Sequence, residues 1–441
     1  MSGDGLVPLR RLHPLTPLVR GAKVLGALTA LGVVRSWQTI QQVGFGFAFA
    51  GVAVLAVAAI AVSWIGWRFT GYRITGRELQ IQAGILSRRH RTVPLERVQA
   101  IDVVRPVLAR LLGLAELRLE VVGGNDTEAR LSYLSAGEAA GLREYLLSLA
   151  SGVPATQLTP DQAAPAEQPL FRVDPGQLVL SQLLTPYTFA VPFLLAWPAV
   201  TLFTDGISIA SLFGAGSAAV GVAAVPVRRL LREWGHAVSA TPQGLRIRGG
   251  LLEKRTQTVT PGRVQAIRIQ RPLLWRPFGW VRVDIDVAGY HAGHRAEEQA
   301  SGALVPVADA STADALVRQM LPPGAAAELD AVTLVAVPPA ARWLAPFAHR
   351  YLAAGITAQL FVTRSGWLIP QHRIAVHARI QSLRFGQGPI QRRLGLGTVH
   401  ADLAGGHSPV IAPFQQTRTA LALLSLLVAR TRETRRLAAS R

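Results

Sequence analysis

Apolar and polar residues alternate one for one in Leu79-Gln80-Ile81-Gln82, and the same period of two governs Val98–Val103 and Glu116–Val122. A two-residue period places one side of the chain against a core and the other toward water, which predicts half-buried β-strands. Turns at Gly76-Arg77-Glu78 and near Ala83-Gly84 separate these runs, and Arg88–Pro94 reads as a polar strand closed by its proline. After Arg105-Pro106 the pattern shortens to Val107–Leu112, a predicted short helix ending at Gly113, where left-handed backbone costs least because there is no Cβ. A longer helix is predicted over Ala136–Ala150, with Leu142, Tyr145, Leu146 and Leu149 on one face.

The pattern is used three times. Arg97-Val98-Gln99-Ala100-Ile101 returns unchanged as Arg263-Val264-Gln265-Ala266-Ile267, and in altered form as Arg379-Ile380-Gln381-Ser382-Leu383. Gly84, Gly250 and Gly366 stand 13 residues before the arginine of each copy, and Gly113, Gly279 and Gly395 stand 16 after it. Two spacings held through three copies identify a module of about a hundred residues as the structural unit. Each copy predicts six or seven antiparallel strands and then one helix, near Thr312–Leu321 in the second copy and Gln416–Arg430 in the third. Such a chain describes a small α+β module, an antiparallel barrel or sandwich plugged at one end by its helix.

Two stretches break the alternation with long apolar runs. Gly44–Trp67 carries no charge over 24 residues, long enough at about 1.5 Å per residue to cross a hydrocarbon core of roughly 30 Å. Leu12–Val34 is its expected partner, with Arg20 and Lys23 inside it. In the second stretch, Leu178–Phe203 and Ile207–Val227 are uncharged and separated by Thr204-Asp205-Gly206. These runs predict four transmembrane helices in two hairpins. A cleaved leader is the weaker reading of the basic start, since a full-length apolar run follows directly. Arg10, Arg11, Arg20, Lys23, Arg68, Arg73, Arg77, Arg228, Arg229 and Arg232 flank the outer ends of the hairpins, so the positive-inside rule predicts a multi-pass inner-membrane protein with cytoplasmic modules and termini.

Composition adds a formal net charge of +20, carried almost wholly by arginine because Lys23 and Lys254 are the only lysines. At an anionic leaflet each basic group near the surface contributes on the order of 1 kcal/mol of attraction, although a coding bias toward Arg and Ala accounts for part of the excess. The absence of cysteine removes disulfide and thiolate chemistry. His291 and His294 read as a solvated loop, His372 and His377 as exposed strand residues, and Asp284 and Asp286 as a polar strand face. No lysine follows the glycines a phosphate-binding loop requires. The sequence therefore predicts no enzyme, no metal and no cofactor. Nucleic acid is a poor partner because the basic residues lack interleaved aromatics.

The remaining chemistry is arginine at turns. Arg88, Arg89 and Arg91 in the first repeat, Arg255 in the second, the Arg105 and Arg271 positions, Arg110, Arg276 and Arg392 at another recurring position, and Arg393 are candidate contacts for anionic head groups or a protein partner, through bidentate phosphate hydrogen bonds. The structural alternative, that repeated arginines such as Arg97, Arg263 and Arg379 pair or cap within the fold, stands beside it.

Tyr72-Arg73-Ile74-Thr75 through Leu79–Leu86, then Val93-Pro94, Arg97–Ile101, Arg105-Pro106 and Leu111–Leu114 resemble the bacterial PH-like family of membrane proteins, bPH2, once catalogued as a domain of unknown function. His13-Pro14 before an apolar hairpin, a module, a second hairpin and two more modules resembles the longer, multi-domain members. The third repeat departs, with Gln387-Gly388-Pro389 in place of Arg-Pro. The resemblance implies a pleckstrin-homology-like fold and transfers no ligand. The expected organisation is a first hairpin (1–67), a module (68–150), a linker (151–177), a second hairpin (178–227), a module (228–322), a linker and first strand (323–348), a module (349–430) and a basic tail (431–441). The predicted function is a non-enzymatic scaffold or interaction platform at the inner membrane, binding membrane lipid, a membrane protein or another copy of itself; the alternative is a subunit of a transport or export system handling lipid or peptide.

Overall fold

The computed structural model describes residues 10–18, 21, 45–75, 78–83, 89–94, 98–121, 128–151, 169–185, 192, 196, 200, 209–241, 244–287, 301–322, 324–403 and 409–439. The chain forms two units, Met1–Ala166 with Leu252–Gln257, and Glu167–Leu251 with Thr258–Arg441. The first repeat supplies β1 (Arg10–Arg11), helix α1 (Phe45–Arg68), β2 (Gly71–Thr75), β3 (Glu78–Ala83), β4 (Arg89–Pro94), β5 (Val98–Pro106), α2 (Val107–Leu111), β6 (Leu114–Val121), β7 (Glu128–Ser135) and α3 (Ala136–Ser151). The second supplies β8 (Pro169–Arg172), α4 (Pro175–Leu183), α5 (Ile209–Glu233), β9 (Ala237–Thr241), β10 (Gly244–Gly249), β11 (Glu253–Val259), β12 (Val264–Gln270), β13 (Trp280–Val287), β14 (Ser301–Asp309) and α6 (Ala310–Met320). The third supplies β15 (Val335–Ala336), β16 (Ala353–Ile356), β17 (Leu360–Ser365), β18 (Gln371–Val376), β19 (Ile380–Gly386), α7 (Pro389–Arg393), β20 (Leu396–Leu403), β21 (Val410–Gln416) and α8 (Thr417–Ala439).

In the first unit β1–β4 form one sheet in chain order, while β7, β6 and β5 form another that β11 joins, with Val103 opposite Thr256 and Pro106 opposite Glu253. The alternating apolar residues turn inward between these sheets: Tyr72, Leu79 and Val93 from one, Ile101, Leu117, Leu119 and Leu131 from the other, with Leu146 of α3. The second unit repeats the plan. Its seven-stranded sheet runs β14-β13-β12-β18-β17-β16-β15, and a three-stranded sheet β19-β20-β21 faces it. Phe361, Ala375, Ile380, Val399, Ala401 and Val410, with Ala420 and Leu427 of α8, fill the space between. Each fully buried large side chain of this kind contributes about 1.5–3 kcal/mol. Gly113, Gly279 and Gly395 have φ of 67°, 68° and 64°, so all three repeats end their short post-strand helix in the left-handed region expected at Gly113.

Two parts of the expected fold class are corrected. The modules are not closed barrels: the strands lie in open antiparallel sheets of three to seven members. The reason is that β18 pairs with β12 of the preceding repeat, Ala375 opposite Ala266 through Gln371 opposite Gln270, instead of turning back to close its own module. The four transmembrane helices are also not found, since among the described residues no helix is long and apolar enough to cross a membrane. The run expected to begin a span at Leu178 starts as α4, which buries Ser181 and Gln182 and ends at Leu183. Trp275 Nε1 donates to Ser181 O at 3.1 Å, so these turns pack as part of a module. At α5 the apolar run passes through Pro226 into Arg228, Arg229, Arg232 and Glu233. The last turn of α1 belongs to the first unit's core, where Trp67 packs and donates Nε1–H to Leu12 O at 3.0 Å. Most of Leu12–Val34 and the turn at Asp205 lie outside the described residues.

Candidate functional site

Gly366, Trp367, Leu368, Ile369 and Pro370 connect β17 to β18. Gly366 has φ of +87°, and a Cβ there would stand 2.1 Å from Ile369 O, so the turn requires glycine. Gln371 Nε2 closes its base by donating to Ser365 Oγ at 3.1 Å. A turn normally carries polar residues; this one presents Trp367, Leu368 and Ile369 to solvent. The neighbouring tip, the 3-10 helix Leu273–Phe278 between β12 and β13, is fastened to it: Arg271 N–H donates to Pro370 O at 2.8 Å and Leu273 N–H to Leu368 O at 3.0 Å.

A second segment adds to the same tip. Ala345 N–H donates to Ala341 O and His349 N–H to Ala345 O, both at 2.9 Å, which is helical spacing and sets Trp343 and Phe347 on one side. Phe347 stacks on Trp367 with ring centroids 5.6 Å apart and planes at 25°. Trp343 is 71% exposed and Phe347 70%, and the Arg342 guanidinium lies 5.6 Å over the Trp343 ring. Large aromatics left this open, with arginine beside them, match the composition of membrane-interface belts, where a ring sits at head-group depth and a cation meets phosphate.

The sequence-selected arginines are not gathered into one cluster. Arg88 lies outside the described residues, and so do the side chains of Arg89 and Arg91, whose backbones run along β4. Arg105, at the end of β5, stands opposite Lys254. Arg255 is engaged within the fold: its Nε donates to Asp102 Oδ2 at 3.0 Å, and that carboxylate is buried, so the ion pair pins β11 to the first repeat. Arg110 on α2, Arg276 in the second repeat's short helix, and Arg392 and Arg393 on α7 recur at equivalent tips beside exposed Leu111, Phe278 and Ile390. Only Arg271 and Arg276 belong to the aromatic tip.

Other polar residues turn out to be structural. Asp284, expected on a polar strand face, is buried and accepts from Arg282 Nε at 2.8 Å, while Arg282 Nη2 lies 2.7 Å from Glu233 Oε1. Burial works against the charged guanidinium, but Asp284 and Glu233 outweigh it and hold Arg282 above the ordinary arginine pKa. His236, beside this cluster, has its pKa pushed down by burial, against the opposing hydrogen bond to Leu304 O and the charge of Glu233. His377, expected to be exposed, is buried at the turn before β19. His291 and His294 lie outside the described residues. Among the described residues no group of three metal-ligating side chains occurs.

This architecture of three antiparallel modules, each ending in a helix and tipped with apolar and basic residues, is that of a bacterial PH-domain array. Residues 25–150, 191–323 and 324–431 match the family model described as Bacterial PH domain, and the chain belongs to that family. It is also similar to the UPF0699 transmembrane protein YdbT of Bacillus subtilis (strain 168), 24% identical over 253 residues that cover 52% of this chain and 50% of that relative. The match thus spans about half of the relative's length. No solved structure matches the chain.

Proposed function

We propose that the protein is a non-enzymatic scaffold at the inner membrane, with its PH modules on the cytoplasmic side, and that the second unit meets the anionic leaflet through Trp343, Phe347, Trp367 and Leu368 with Arg271 and Arg342 at the phosphate level. The observation that carries this reading is the exposure of Trp343 and of Phe347, which stacks on Trp367 of the turn fixed by Gly366 and so stands outside the core. Apolar surface held in water is unfavourable by about 25 cal/mol per Å², and burial in lipid recovers it. The exposed Val54, Val57, Val62 and Ile65 of α1 point the same way, as does the similarity to YdbT, a transmembrane protein. A net charge of +20 supplies the attraction to acidic lipid.

The natural chain has no cysteine, so one label site can be introduced cleanly. The full chain carrying Leu368→Cys, coupled to an environment-sensitive fluorophore, is mixed with vesicles of phosphatidylcholine alone or with phosphatidylglycerol. A blue shift on the acidic vesicles, quenched by lipids spin-labelled at shallow acyl positions and lost in Trp343→Ser/Phe347→Ser, is the expected result. An emission spectrum indifferent to both vesicle types refutes the proposed contact.

A further inference from the structure

Both internal junctions between repeats are strand pairs of one kind. At the first, β5 pairs antiparallel with β11, Val103 opposite Thr256. At the second, β12 pairs antiparallel with β18, Ile269 opposite His372. Val103 and Ile269 hold the same place in their repeats, and so do Thr256 and His372, as the spacing of the repeated glycines and arginines shows. The two junctions therefore share one register to the residue. The first strand of each repeat's second half takes as partner the last strand of the next repeat's first half.

This rule leaves two strands over. β4 is the last strand of the first repeat's first half and lies at an edge of the sheet β1-β2-β3-β4. β19 is the first strand of the third repeat's second half and lies at an edge of β19-β20-β21. Among the described residues β4 pairs with β3 and β19 with β20. The exposure of β19 records the missing neighbour: Gln265 and Ala266 on β12 are 4% and 5% exposed, whereas their counterparts Gln381 and Ser382 are open to solvent. Beyond Ile380, whose carbonyl accepts from Arg435, no strand among the described residues lies along the outer edge of β19, an edge of the sort that recruits another strand. Four strands and three make seven, the size of the sheet that the β12–β18 junction builds.

We infer that β19 of one molecule pairs antiparallel with β4 of a second copy, repeating the internal junction between chains. Carrying the register across sets Phe385 opposite His90, Arg384 opposite Arg91, Leu383 opposite Thr92 and Ser382 opposite Val93. An arginine facing an arginine is already accommodated inside the chain, where Arg268 stands opposite Arg373. The contact joins different surfaces, head to tail, so it propagates into a ring or a filament and not a two-fold dimer.

Two single-cysteine variants of the full chain, Thr92→Cys and Leu383→Cys, one of them affinity-tagged, are mixed in lipid nanodiscs or detergent and oxidised. A disulfide-linked dimer in the mixture, weak or absent with either variant alone and absent when Arg384→Cys replaces Leu383→Cys, is expected, because directly opposed strand positions lie within disulfide reach. No cross-link in the mixture overturns the inference. So does a disulfide formed within a single chain carrying both substitutions at high dilution, which would assign the two edges to each other. Independently of any variant, the native mass of the unmodified protein is expected to rise with concentration in steps of one chain, and a constant monomer over a hundredfold range likewise overturns it.

Discussion

Replacing Arg282 with methionine removes a buried cation that lies within hydrogen-bond distance of both Glu233 and Asp284. Arg282 lies 2.7 Å from Glu233 and 2.8 Å from Asp284, and all three side chains are less than 10% exposed. Arg229 reaches Glu233 at 3.9 Å, too long to take over the hydrogen bond. Breaking a buried pair from one side leaves uncompensated charge and costs about 3–5 kcal/mol, whereas exchanging a whole buried ionic group for apolar residues of similar volume is often neutral or stabilising. Arg282→Met is therefore expected to lower the second unit's stability by about 3–5 kcal/mol, roughly 6–20 °C in Tm for a unit of this size. Glu233→Leu/Arg282→Met/Asp284→Leu is expected to recover most of that loss. Trp234, Trp275 and Trp280 belong to a hydrophobic cluster of the second unit, so tryptophan fluorescence during urea unfolding reports the transition. A single variant that loses less than about 1 kcal/mol, or a triple variant no better than the single, refutes the assignment of Arg282 as the neutralising centre.

Three further outcomes are expected. The His236 pKa is lowered in the fold, so the unfolded chain binds the proton more tightly; stability is full above about pH 6.5 and falls on acidification by up to about 1.4 kcal/mol per pH unit, a slope that His236→Gln should flatten in unfolding titrations. Asp309 caps α6 by accepting from Thr312 N–H at 2.9 Å, and the Ser311 hydroxyl, then the Thr312 amide, hold its carboxyl down at about 2; Asp309→Ala is expected to cost about 1 kcal/mol by thermal unfolding at pH 7, with the wild-type advantage fading only toward pH 2. Gly366→Ala drives a Cβ into Ile369 O, so it is expected to cost more than about 1 kcal/mol and to weaken vesicle binding by displacing Trp367 and Leu368.

Periodicity made the modules legible. Alternation located the strands around Leu79, Ile101, Leu117 and Leu119, all now in one core, and fixed spacing marked the three left-handed glycines. What periodicity cannot encode is the identity of a strand's neighbour: β18 presents the same edge to β12 as it would to β19 of its own repeat, so the exchange between repeats left no local trace. The Arg255–Asp102 ion pair was not legible for the same reason, since the two residues are 153 apart in sequence. Hydropathy read Leu178 as the start of a span, although the Gln182 and Thr185 beside it are buried polar residues held by local hydrogen bonds. The aromatic tip did leave a signal: apolar pairs follow the fixed glycine in every repeat, as Ile85-Leu86, Leu251-Leu252 and Trp367-Leu368, where a turn calls for polar residues.

The pairing of β12 with β18 also sets the order of events during synthesis. When Gln270 leaves the ribosome, the strand that will cover its edge, beginning at Gln371, is still about a hundred residues from being made. At roughly 5–20 residues per second that is a wait of about 5–20 s with Ile267 and Ile269 on an uncovered edge. A nascent chain of this kind needs a holding partner at the tunnel exit for that interval, and a message truncated between the second and third repeats yields a product that never acquires its missing neighbour.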